Sequence, residues 1–128
     1  MSTPHDVYAP ADALWAKVLA AFPYVSTLTE ATSEVSRILR KWHRDLAPTY
    51  VESSTCDIRQ EHWPTARLSE LTLRPRRGNP DRDYGPIVAV EYHGSKYVVD
   101  GTKRTNLWRE QQSPDEHEIL LIRRPGDQ

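Results

Sequence analysis

The sequence predicts an α+β protein in which an N-terminal helical hairpin packs on a small sheet. Three observations carry this. Apolar residues recur at helical spacing through residues 11–42. Short β-rich runs bounded by glycine and proline take over from residue 65. At residues 98–108, VVDGTKRTNLW, a β-branched pair runs into a glycine and out into a helical segment.

Residues 1–9 read as a loose lead-in, and Pro10 suits an early helical position. Ala11, Leu14, Trp15, Val18, Leu19 and Phe22 then form one apolar stripe that Pro23 should end. A second helix is expected from Ser26 or Thr27, because Thr27 and Glu30 have the spacing of a capping box. Its apolar face is Leu28, Ala31, Val35, Ile38, Leu39 and Trp42, and Arg40, Lys41, His43 and Arg44 place cations at its C-terminal end before Ala47-Pro48 closes it. Residues 49–62 show no clear period, and His62-Trp63-Pro64 reads as a bend. Residues 67–71 are expected to be a strand entering a tight turn, and the Arg-, Pro- and Asp-rich residues 74–84 a surface loop. Residues 87–92 are a strand by β-propensity, His93-Gly94-Ser95 a hairpin turn, and 96–99 its partner strand. A helix over 102–112 and a buried final strand over 117–123 complete the chain.

The chain has 128 residues, enough for one domain or one domain with an extension. Its formal charge of −1 argues against binding nucleic acid through a basic surface, leaving only local patches. Cys56 is the single cysteine, which excludes an internal disulfide or a cysteine-based zinc cluster and fits a reducing compartment. No apolar run approaches the ~20 residues needed to span a bilayer, and the first residues lack the regions of a secretory signal, so a soluble cytoplasmic protein is expected. No G-x-x-x-x-G-K-[ST], G-x-G-x-x-G or H-E-x-x-H pattern occurs, which excludes P-loop, Rossmann and zincin chemistry.

The best chemical candidate is the turn after Val98-Val99-Asp100. A strand that stops at Gly101 and turns into a helix leaves backbone N–H groups at the helix start, and these groups, the helix dipole and the cations Lys103 and Arg104 suit an anion, most naturally phosphate. Arginine offers a planar fork and lysine a mobile point charge, so together they suit two phosphate groups. Asp100 in this setting is a natural helix cap. Arg37, Arg40, Lys41 and Arg44 on the second helix, and Arg74, Arg76, Arg77 and Arg82 in the loop, read as solvated charge.

The order of these features resembles the ParB N-terminal/sulfiredoxin superfamily over roughly residues 65–124. The residues that carry the likeness are Leu68, Glu70 and Leu71, then Pro86-Ile87-Val88, then Tyr97 through Arg104 with its D-G-x-x-R core. The resemblance implies a small mixed sheet of that type, with residues 1–62 as a helical extension and 63–128 as the family domain in one compact unit. It implies a bound nucleotide (ATP, ADP or CTP) whose phosphate is cradled by Gly101 and the N–H groups of Thr102, Lys103 and Arg104, with Arg104 as the phosphate-binding arginine. Phosphotransferase or nucleotide-hydrolase activity would then use Lys103 and Arg104 for charge stabilisation, Glu70 as general base and Asp100 as ligand to Mg2+. The chain departs from the pattern at Lys103, where the motif usually has histidine, and at Thr102, where the sulfinic acid reductase has its catalytic cysteine. The second departure excludes sulfur chemistry. The alternative is a non-catalytic regulatory or toxin–antitoxin-type module that uses the same fold to hold a protein or DNA partner, with Trp15, Phe22 and Trp42 of the helical hairpin facing a protein partner or a second copy.

Overall fold

A computed structural model describes residues 4–73 and 85–126. Helix α1 (Pro4–Ala20) and helix α2 (Leu28–Leu39) precede strand β1 (Asp57–Pro64), a 3-10 helix (Thr65–Glu70) and the short strand β2 (Leu71–Thr72). Strands β3 (Ile87–Tyr92) and β4 (Ser95–Asp100), helix α3 (Thr102–Gln111) and strand β5 (Glu116–Arg123) follow. The expected loop over 74–84, with its arginines, lies outside the described residues.

The five strands form one mixed sheet in the order β1-β5-β3-β4-β2. β1 runs antiparallel to β5, β5 parallel to β3, β3 antiparallel to β4, and β4 parallel to β2. Side chains alternate across the pleat, so each central strand feeds two cores. Val88, Val90, Val99, Leu120 and Ile122 face α1 and α2 and meet Trp15, Val18, Phe22, Val35 and Leu39. Ile87, Ala89, Val98, Ile119 and Leu121 face the other way and meet Trp63, Leu68 and Leu71, with Trp108 of α3 packed at the edge. The sheet is thus covered by the hairpin on one face and by the 3-10 helix and α3 on the other. No helix among the described residues is long and apolar enough to cross a membrane.

From Ile87 to Arg123 the elements follow the sequence pattern to within a residue or two at each boundary. In the first half, the Thr27–Glu30 capping box forms as its spacing predicts, with the Glu30 N–H donating to Thr27 Oγ1 at 3.1 Å and the Thr27 N–H to Glu30 Oε1 at 3.0 Å. Several other expectations are corrected. α1 begins at Pro4 rather than Pro10. α2 ends at Leu39 rather than near Arg44, because the N–H groups of Lys41 and Trp42 bond three residues back and tighten the chain out of the helix. That turn lays Trp42 on Tyr97 and His43 on Tyr92, at ring-centroid distances of 5.0 and 4.6 Å. Residues 57–64 are a strand, not a bend; Pro64 is tolerated there because β1 is an edge strand. Residues 65–70 are a 3-10 helix rather than a strand, since Leu68 and Leu71, three apart, both turn into the second core. The expected division between residues 62 and 63 falls inside β1, which pairs along its whole length with β5. Trp15 and Phe22, expected to face a partner, are 7% and 3% exposed and serve the chain's own core.

The second core is pinned by a histidine. His117 is buried on β5, stacks on Trp108 at a ring-centroid distance of 4.2 Å, and lies 2.9 Å from Thr65 Oγ1. The Thr65 hydroxyl donates its one proton to the Ser113 carbonyl (2.6 Å), so it accepts from the His117 Nε2–H. Burial lowers the His117 pKa below its ordinary 6.5, partly opposed by Asp115. The unfolded chain therefore takes up this proton at higher pH than the folded one does. The His117 contribution to stability should be complete above pH 6.5 and decline on acidification through the lowered folded value. Urea unfolding between pH 5 and 8 should show this decline in the native chain, and His117→Gln should flatten it. Equal pH dependence in both proteins would refute the assignment.

Candidate functional site

The corner at the end of β4 is built by three backbone features. The register of β3 on β4 slips between Val88 and Ala89, so that Val88 faces Asp100 while Ala89 faces Val98. The extra residue, Val99, bends the strand just before the turn. Gly101 then takes φ +106°, a left-handed conformation that disfavours any side chain. A Cβ at this position would also stand 3.1 Å from Arg104 Nη2 and 3.2 Å from Ile87 Cγ1, so glycine is required twice over. Finally, the Thr105 backbone N–H and hydroxyl both donate to the Gly101 carbonyl, at 2.9 and 2.8 Å, and start α3. Residues Thr102, Lys103 and Arg104 form the first turn, whose N–H groups have no acceptor within the helix.

The side chains of this turn divide by direction. Arg104 is 3% exposed and folds back into the protein. Its Nη1 donates to the Gly85 carbonyl at 2.5 Å and its Nη2 to Asp100 Oδ2 at 3.0 Å. The guanidinium therefore joins the chain leading into β3, the end of β4 and the first turn of α3. Thr102 is also buried, and its Oγ1 has no hydrogen-bond partner among the described residues. Lys103 is exposed. Asp100 is not the helix cap; Gly101 holds that position without a side-chain bond, and the carboxylate serves Arg104 instead.

Glu70 does not join this corner. Leu71 aligns with Lys96, so Glu70 lies at the level of Ser95, roughly 16 Å along β4 from Asp100 at ~3.3 Å per residue. Its carboxylate accepts from Arg67 Nε and Nη2, both at 3.1 Å, and these bonds hold its pKa below the usual carboxylate value. Arg67 in turn covers the Trp63 ring at 3.9 Å. A carboxylate so stabilised is a poor general base.

Comparison with protein-family models, curated proteins and solved structures finds no match to this chain.

The arrangement suits anion binding better than metal or proton chemistry. A divalent ion on Asp100 would stand against the Arg104 guanidinium that this carboxylate already holds, so the residues present do not fit a resident metal. Among the described residues no group of three His, Cys, Asp or Glu could hold an ion either. Among the described residues, Asp100 and Arg104 pair their charges, while the exposed Lys103 and the helix start with its dipole present positive character to solvent. Sequence reasoning missed the Gly85 carbonyl; its only trace was a glycine before the Pro86-Ile87-Val88 run.

Removing Arg104 takes the balancing charge from the half-buried Asp100 carboxylate and leaves the Gly85 carbonyl without its donor, which is costly. Arg104→Ala should lower the unfolding free energy by about 3–5 kcal/mol. Adding Asp100→Ala should recover part of that loss, since the two charges act as a unit. Urea denaturation of the two single variants and the double variant checks this, and additive losses would contradict it.

Proposed function

We propose that this chain is a nucleotide-binding protein of the ParB/sulfiredoxin type that holds its ligand's phosphate at the head of α3 and acts by binding rather than by catalysis. The observation that carries the reading is the inward-turned, buried Arg104: it pairs with Asp100 at the helix start, while the exposed Lys103 and the positive end of the helix dipole face an approaching anion. Arg104 in this reading organises the site and Lys103 supplies the mobile charge. The ligand class is a nucleotide such as ATP, ADP or CTP, with Mg2+ carried on its own phosphates, which need few protein carboxylates.

A catalytic version, phosphotransferase or nucleotide hydrolase, would need a base and a metal ligand at the corner. Glu70 lies at the far end of β4 and Asp100 is engaged by Arg104, so neither supports it. A DNA-binding version gains nothing from a net charge of −1.

Titration calorimetry with ATP, ADP and CTP, with and without Mg2+, tests the reading. At least one should bind saturably, and Lys103→Glu should weaken it about tenfold or more, the loss of one charge-assisted hydrogen bond. Absence of binding by the native protein, or equal binding by Lys103→Glu, would overturn it. Release of phosphate by the native protein would overturn its non-catalytic part.

A further inference from the structure

The sheet has one long edge. At one end stands β2, of two residues, and at the other β1, of eight. β1 pairs residue for residue with β5, without a bulge, and its proline is its last residue. It therefore lacks the short length, the bulge and the interior proline that usually blunt an edge. Every second residue of β1 turns its backbone N–H and C=O away from β5. Among the described residues, no hydrogen bond from outside the sheet reaches the backbone of residues 58–63.

We propose that this edge pairs with the same edge of a second copy of the chain, antiparallel about a two-fold axis at Gln60, so that two five-stranded sheets run on as one. The inference is independent of the ligand site proposed above. The register follows from the charges of the strand. In an antiparallel ladder, residues directly opposite each other both point toward the seam or both point away from it. The axis of a symmetric pair therefore passes at a residue, never between two. An axis at Arg59 sets Arg59 against its own copy and Asp57 against Glu61, and an axis at Glu61 sets Glu61 against its own copy. Like charges directly opposite are destabilising. An axis at Gln60 sets each Arg59 opposite the other copy's Glu61 and leaves neutral Gln60 against itself. Arg59 and Glu61 share the Trp63 side of the pleat, where Arg59 is exposed and stands 3.8 Å from its own Glu61, so the four charges gather there with alternating sign. On the other side Ile58 borders a largely apolar cleft of about 560 Å3 with Trp15, Ala16 and Leu19, and the same register brings the second copy's His62 over Ile58. The pairing closes on itself: it uses both long edges, and β2 is too short to recruit a further copy.

The test is light scattering over a concentration series on the native chain, Arg59→Glu, Glu61→Arg and an equal mixture of the two variants. The native chain should reach the mass of two copies. Either variant alone sets like charges opposite at both symmetric positions and should dimerise about tenfold or more weakly. The mixture restores opposite charges at both positions and should dimerise as the native chain does. Amide exchange gives a second measurement on the native chain alone: alternate amides within residues 58–62 should exchange more slowly as concentration rises. A native chain that stays monomeric to about 1 mM would overturn the proposal. So would a dimer whose β1 amides exchange at the monomer's rate, a dimer that both variants leave intact, or assembly beyond two copies.

Discussion

The contact on which the rest of this structure depends is the Arg104 guanidinium between the Gly85 carbonyl and the Asp100 carboxylate. It ties together three pieces of chain that sequence leaves far apart: the approach to β3, the end of β4 and the first turn of α3. A charge buried to this degree is tolerated because a carboxylate and a backbone carbonyl replace the water it gives up. Its placement also explains the glycine at 101. The guanidinium and Ile87 press so closely against the turn that a Cβ has no room, and the turn itself requires a positive φ.

The same clamp sets the electrostatics of the corner. Among the described residues, Asp100 and Arg104 pair their charges, and Lys103 and the oriented N–H groups of the helix start add positive character at the corner. The bulge at Val99 and the two cores on either side of β3 and β5 keep that geometry rigid, since neither the strand end nor the helix start can shift without disturbing a packed layer.

Much of this was legible in the sequence, and the reasons differ from element to element. Residues 87–123 read well because β-branched runs, a glycine turn and a polar helix alternate cleanly there. β1 escaped because an edge strand buries few of its side chains: Ile58 and Trp63 are buried, but Arg59, Gln60 and His62 are exposed, and no period emerges. The 3-10 helix was hidden by its three-residue spacing of Leu68 and Leu71, which a strand or an α-helix fits about equally badly. The corner after β4 was visible as strand, glycine and helix. The inward turn of Arg104 was not, since a buried arginine and an exposed one are spelled alike; its only trace is the four-residue interval from Asp100, the interval of a helical ion pair. The distance of Glu70 from the corner depends on β2 pairing parallel to β4, a tertiary fact with no local sequence mark.

The proposed function requires an anion to meet the backbone of the first turn of α3 while Arg104 stays clamped to Asp100. An amide NMR titration of the native protein with ATP or CTP addresses it most directly. Saturable shifts are expected at the Thr102, Lys103 and Arg104 amides, with the Arg104 guanidinium resonances unchanged. Saturable shifts that leave those three amides untouched, or that move the guanidinium out of its ion pair, would contradict it.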